Sequence, residues 1–142
     1  MKKYLLATAL GLSTAVATMA HSNVADPTVK ARMDAMSAIG ASLKTLGGMA
    51  QGAVAFDAEA ANAALAVVAA KAAETPALFE AQKTDPTSEA RPEIWANWDD
   101  FVAKAEALEA AASVTVTDQA SVGAALGALG GTCKACHAQY RM

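Results

Sequence analysis

The chain has 142 residues, a formal charge of −3 and a pI near 5.3. Apolar residues make up 54% and charged residues 18%, which excludes a disordered segment; the acidic balance, with no basic run, leaves nucleic acid no electrostatic footprint. Alanine occurs 39 times. It is the best helix former and a poor strand former, so an all-β fold is excluded and an all-α fold is expected.

Residues 1–20 read as a cleaved secretory signal peptide. Lys2 and Lys3 precede an apolar run from Leu5 to Val16, and small-residue triplets end at Ala17 and Ala20. The run is shorter than the roughly 20 apolar residues of a spanning helix. Cleavage after Ala20 is expected to leave residues 21–142 as one domain in the periplasm, without a membrane segment. The loss of two lysines takes its formal charge to −5. In such an oxidising compartment two cysteines ordinarily suggest a disulfide.

Asp26-Pro27 opens the first helix, with Asp as N-cap and Pro at the first helical position. Val29, Met36, Leu43 and Ala50 recur every seven residues, with Ile39 and Leu46 between them, and make its inward seam. Asp57 caps a second helix through Leu65, Val68 and Ala72 to about Glu74, where Thr75-Pro76 ends or kinks it. The stretch 76–91 reads as the longest loop, with a helical turn at Leu78-Phe79. A third helix begins near Pro92 and carries Ile94, Trp98, Phe101, Ala105, Leu108 and Ala112 inward without a break. Thr117 or Asp118 caps a fourth, with Val122, Leu126, Leu129, Cys133, Cys136 and Tyr140 on its seam. Short first and last connections make neighbours antiparallel, so the expected architecture is an up-down-up-down four-helix bundle. Its core is thin, because many inward positions are Ala or Gly and buried area stabilises by only about 25 cal/mol per Å². A bulky planar prosthetic group between the helices would fill that space.

The chemistry lies in Cys133-Lys134-Ala135-Cys136-His137, a C-x-x-C-H sequence of the kind that attaches c-type haem. Thiols at i and i+3 share one side of a helix and reach the two vinyl groups of one porphyrin. His137, at i+4 from Cys133, approaches the iron from the same helix. Two other chemistries compete. A thiol–disulfide site ordinarily begins a helix after a strand in an α/β fold. A zinc site needs a second ligand pair, and the only other histidine is His21.

Most small soluble c-type cytochromes carry this motif near the N-terminus; here it lies close to the C-terminus. At this point the chain resembles the cytochrome c′ family, the class II cytochromes c. The resemblance spans residues 21–142 and is carried by Arg32-x-x-x-Met36, by Ala90-Arg91-Pro92-Glu93-Ile94-Trp95, and by Gly130-Gly131-Thr132-Cys133-Lys134-Ala135-Cys136-His137-x-x-Tyr140-Arg141. It implies one covalent haem c per chain, bound through Cys133 and Cys136, with His137 as the metal ligand. It implies a five-coordinate, high-spin iron that binds NO and CO and exchanges single electrons with unidentified redox partners. Met36 matches the distal-face position and Arg32 a haem-propionate contact. Met33 and Glu89 match further positions at the haem, Glu89 more plausibly through its backbone, and Arg141 a position beside the proximal imidazole. Low-spin relatives of the class use a first-helix methionine as sixth ligand, so Met33 or Met36 closing the iron is the alternative. Against haem contact stand core packing for the methionines, a solvated arginine at Arg32 and a helix C-terminal cation at Arg141. Trp95, Trp98, Phe101 and Phe79 read first as core. Gly130 and Gly131 suggest close approach of the porphyrin to the backbone. The resemblance also implies a homodimer through the first two helices, to which the Gly40 and Gly47 stripe is suited; intramolecular packing competes for it. No distal His and no acid–base constellation is present, so an enzyme is not expected.

Overall fold

The computed structural model describes residues 23–142, so the signal-peptide reading of residues 1–20, and His21, lie outside the described residues. Among the described residues there are five helices and no strand: α1 (Pro27–Ala50), α2 (Ala58–Phe79), α3 (Glu93–Ala96), α4 (Trp98–Ala112) and α5 (Gln119–Tyr140). The four long helices form the bundle. α1 packs on α2 and α5, and α4 packs on the same two, while the short α3 sits at the start of α4 and touches α5. None of the described helices is long and apolar enough to cross a membrane.

Local chemistry sets most boundaries. The Asp26 carboxylate accepts from the Thr28 and Val29 amides at 2.8 and 3.1 Å, and Asp57 accepts from the Ala60 amide at 3.0 Å. Asp118 and Ser121 form a reciprocal capping box at α5. The chain turns away after α1 at Gly52, whose φ of +69° is a left-handed conformation that favours glycine. The connection from α4 to α5 is tied to α2 by Asn62, which donates to the Val116 carbonyl at 2.9 Å and accepts from its amide at 3.0 Å.

Three features depart from the sequence pattern. α2 does not stop at Thr75-Pro76 but runs through Pro76 to Phe79. An interior proline costs about 3 kcal/mol, which is offset here by burial of Phe79 and by the hydrogen bonds that Arg32 donates to the Leu78, Ala81 and Lys83 carbonyls. The third helix breaks at Asn97, whose backbone leaves the helical region (φ −126°, ψ 49°). Its side chain donates to the Glu93 carbonyl at 3.1 Å, in competition with the helix ladder. On α1 the buried row is Val29, Arg32, Ala35, Ile39, Ser42, Leu46 and Met49. Met36, Leu43 and Ala50 are only partly buried at its flank, because a buried arginine takes a place in the seam.

Two apolar clusters result. The larger, with Leu46, Leu65, Val68, Val122 and Leu129, fills the end of the bundle that holds the α1–α2 and α4–α5 connections. The smaller, built on Phe79, Ile94, Phe101 and Tyr140, lies at the other end. The buried residues of the two do not join into one cluster.

Candidate functional site

The gap between the clusters is occupied by two adjoining spaces that open to solvent, with cavity volumes of about 120 and 430 Å³. Their shared walls include Met33 and Met36 from α1, Phe101 from α4, and Cys136 and His137 from α5. The larger space adds Gly40, Ala105, Leu108 and Cys133, and the smaller adds Arg32, Phe79 and Tyr140. Small-molecule sites usually enclose about 300–1,000 Å³, and the larger space alone falls within that range. The expected thin core is thus a cleft, in which Gly40 and Ala105 sit among the larger Met33, Met36, Phe101 and Leu108.

Cys133 and Cys136 are both partly buried, free thiols on the cleft face of α5. Burial pushes both thiols up from their ordinary value; at Cys136 the ammonium of Lys104 opposes this. The site therefore lacks the lowered thiol pKa that marks a thiol–disulfide exchange centre. Among the described residues no cluster of three or more His, Cys, Asp or Glu side chains forms a metal site. His137 titrates below its ordinary value, first through desolvation in the cleft and second through the Arg141 cation, with Glu89 opposing. A neutral imidazole is the form that ligates iron.

The last residues of the chain are fastened beside this histidine. The Arg141 Nε donates to Glu89 Oε2 at 2.5 Å, and the Met142 amide donates to the Glu89 carbonyl at 2.8 Å. The Arg91 amide donates to the Tyr140 carbonyl at 3.0 Å, which makes Ala90 and Arg141 an isolated antiparallel bridge. The Tyr140 hydroxyl donates to Asp100 Oδ2 at 2.5 Å. Glu89 is thus neutralised by Arg141, which ends α5 as its C-cap, and both border the cleft next to His137. Neither residue's partner is legible from spacing, since they lie 52 positions apart.

Arg32 is only 2% exposed, not a solvated surface arginine. Its Nε donates to the Leu78 carbonyl and an Nη to the Lys83 carbonyl, each at 2.9 Å, and its other Nη bonds the Ala81 carbonyl. The guanidinium lies 4.6 Å from the Phe79 ring centroid and 5.6 Å from that of Trp95. Of its five N–H groups two are left for a ligand. Arg32 therefore caps the C-terminus of α2 and at the same time borders the smaller space.

Every candidate residue read from the sequence, namely Cys133, Cys136, His137, Arg32, Met33, Met36, Glu89 and Arg141, borders this one cleft. Other sequence readings do not meet it. Gly130 and Gly131 are exposed, with nothing near them, and do not line the cleft. Gly47 faces the Leu126 side chain of α5, the intramolecular packing that competed for it, and Gly40 borders the cleft. Phe79 and Phe101 form cleft wall, whereas Trp95 and Trp98 pack behind them. Sequence reasoning missed Lys104, Thr75 and Ser88 as lining residues. Lys104 was within reach, one position before the inward Ala105.

A free C-x-x-C-H pair on a largely apolar cleft inside a four-helix bundle fits covalent haem and defines a c-type haem protein of the bundle class. The model of the family Cytochrome C' matches residues 27–141, and the chain belongs to the cytochrome c′ family. It is 41% identical over 116 residues to cytochrome c-556 of Agrobacterium tumefaciens (strain apple 185), covering 79% of this chain and 92% of that protein. Its fold is similar to the cytochrome c′ from Rhodopseudomonas palustris, with TM-score 0.76 and 31% identity over 82% of this chain and 97% of that one. It is also similar to a nitric oxide complex of a variant cytochrome c prime from Alcaligenes xylosoxidans, with TM-score 0.66 and 31% identity over 80% and 93% of the two chains.

Proposed function

We propose that the chain is a periplasmic haem protein, not an enzyme, that binds NO and CO at a five-coordinate iron and exchanges single electrons. The carrying observation is that Cys133, Cys136 and His137 border one cleft whose α1 wall, apart from Ser37, offers methionine and apolar residues and no His, Asp or Glu. Haem c would supply an iron with one open coordination position and a one-electron couple. The two thiols would hold it through thioether bonds, and His137, kept neutral, would be its protein ligand. Arg32 would offer its two remaining N–H groups to a propionate, and the apolar part of the wall would disfavour bulky and anionic ligands. The nitric oxide complex of a neighbouring structure supports the gas-binding reading. The pattern of residues 1–20 supports export. Family membership supports a homodimer through α1 and α2, with Val67, 40% exposed on α2, available to such a contact.

A second reading has its own support. Met33 and Met36 both line the cleft, and a similar relative bears the name cytochrome c-556. In this reading one thioether sulfur closes the sixth position and the protein is a low-spin electron carrier. An absorption spectrum of the purified chain, before and after CO, separates the two. High-spin bands that shift with CO carry the first reading. A low-spin spectrum indifferent to CO, converted to high spin by Met33→Leu or Met36→Leu, carries the second and overturns the first.

A further inference from the structure

Tyr140 has an environment that neither haem attachment nor gas binding uses. Its ring is 5% exposed and borders the smaller space together with Cys136 and His137. Its hydroxyl donates to Asp100 Oδ2 at 2.5 Å, with the Asn97 carbonyl a longer second acceptor at 3.4 Å. Asp100 is half exposed and has Lys104 Nζ at 3.5 Å on its other oxygen. The Tyr140 ring stands edge-on to Phe101, centroids 5.4 Å apart, and Phe101 lies 5.7 Å from Trp98. A phenol in this setting has three things that one-electron oxidation requires. It lies against the cofactor space, it has a base on its proton, and that base reaches water.

We propose that Tyr140, with Asp100 as its proton acceptor, gives one electron to the haem site when a hydroperoxide oxidises that site; this rests on the reading that haem occupies the cleft. The balance is closed. Cleaving the O–O bond of hydrogen peroxide to two waters takes two electrons and two protons. One electron comes from the haem centre and the other from Tyr140, whose O–H bond breaks to leave a neutral phenoxyl radical. Its proton passes along the hydrogen bond to Asp100 and from there to solvent, while solvent supplies the remaining proton of the second water. Burial and the Asp100 carboxylate push the Tyr140 phenol up to about 12, and the same hydrogen bond holds Asp100 below its ordinary value. At neutral pH the donor is thus protonated and the acceptor ionised, so electron loss and proton transfer go together. Among the described residues the α1 wall of the cleft carries no His, Asp or Glu to assist O–O cleavage, so the reaction with peroxide is slow and the radical accumulates only with excess oxidant.

The chain has two tyrosines, Tyr4 and Tyr140, and cleavage after Ala20 would leave Tyr140 alone, which makes assignment direct. The haem-loaded chain, with loading verified by its absorption spectrum, is mixed with excess hydrogen peroxide, freeze-quenched and examined by electron paramagnetic resonance, with and without ring-deuterated tyrosine. The expected result is a tyrosyl signal whose splitting changes on deuteration and which is lost in Tyr140→Phe. Asp100→Asn keeps a hydrogen-bonding group but removes the base, and the tyrosyl signal should form at least about tenfold more slowly. A loaded chain that yields no tyrosyl radical overturns the donor role, as does the same signal in Tyr140→Phe. Unchanged formation in Asp100→Asn overturns the assignment of the acceptor. A chain that takes up no haem overturns the haem reading itself, and that failure is visible in the absorption spectrum before any peroxide is added.

Discussion

Arg32→Ala tests whether a buried cation holds the site end of the bundle. The side chain makes three hydrogen bonds to carbonyls of residues 78, 81 and 83 and stacks on Phe79. A hydrogen bond with a charged donor contributes about 1.5–3 kcal/mol, and a cation over a ring about 0.5–1. The three bonds do not count equally. Ala81 and Lys83 are exposed, so water recovers most of what their carbonyls lose, whereas Leu78 is partly buried. Relief from burying the charge offsets a further part. One bond near full value, two at a fraction and the ring contact leave a loss of about 3 kcal/mol, or on the order of 10 °C in Tm. Arg32→Lys keeps the charge but not the planar fork, so it should recover no more than about half. Urea unfolding followed by far-UV circular dichroism measures the loss. Amide hydrogen exchange should show it concentrated at the end of α2 and residues 80–91. A loss below about 1 kcal/mol, or full rescue by lysine, would refute the capping argument.

Other outcomes follow from single contacts. The double variant Cys133→Ala, Cys136→Ala should lack the covalent mass increment of about 0.6 kDa while retaining the helical circular dichroism of the bundle; an increment that survives would place attachment elsewhere. Asp85 accepts from Thr87 Oγ1 at 2.6 Å, from the Thr87 amide, and from the amides of Ala25 and Asp26. These bonds, Thr87 first, lower its pKa to about 2, so the folded state favours the carboxylate. The stabilisation is present above the unfolded value of about 3.9 and is lost as pH falls through about 2. Asp85→Asn should flatten that acid limb, and parallel pH profiles of wild type and variant would count against it. Gly52→Ala forces a side chain into φ +69° and brings its Cβ to 3.3 Å from the Gln119 amide nitrogen. Because the Gln119 end is flexible, the backbone dominates, and thermal unfolding should register a loss of about 1 kcal/mol.

What the sequence made legible was local. Asp26-Pro27, Asp57 and Asp118 announce helix starts because a cap acts within three residues. The C-x-x-C-H run announces its chemistry because attachment needs only one helical turn. What it hid was long-range. Nothing near Arg32 indicates that its partners lie 46 to 51 residues away, and a polar residue in the seam made the α1 heptad register look one step off. Pro76 reads as a stop because its penalty is local, while the Phe79 burial and Arg32 bonds that outweigh it are tertiary. The pairing of residues 140–142 with 89–91 has no sequence pattern, since it joins a helix end to a loop by backbone.

Two small residues help to keep the cleft open. Larger side chains at Gly40 and Ala105 would project into the space that borders Cys133, Cys136 and His137, while the larger apolar cluster holds the helices together from one end. At the other end the cost of ordering the final helical turn is met by contacts that involve no cofactor: Tyr140 to Asp100, Arg141 to Glu89, and the backbone of 140–142 to 89–91. His137, one turn before those contacts, is therefore held on the cleft face in advance. In the proposed reading, a histidine positioned this way would lose little further freedom on binding iron, so attachment at the two thiols would begin with the imidazole already facing the cleft.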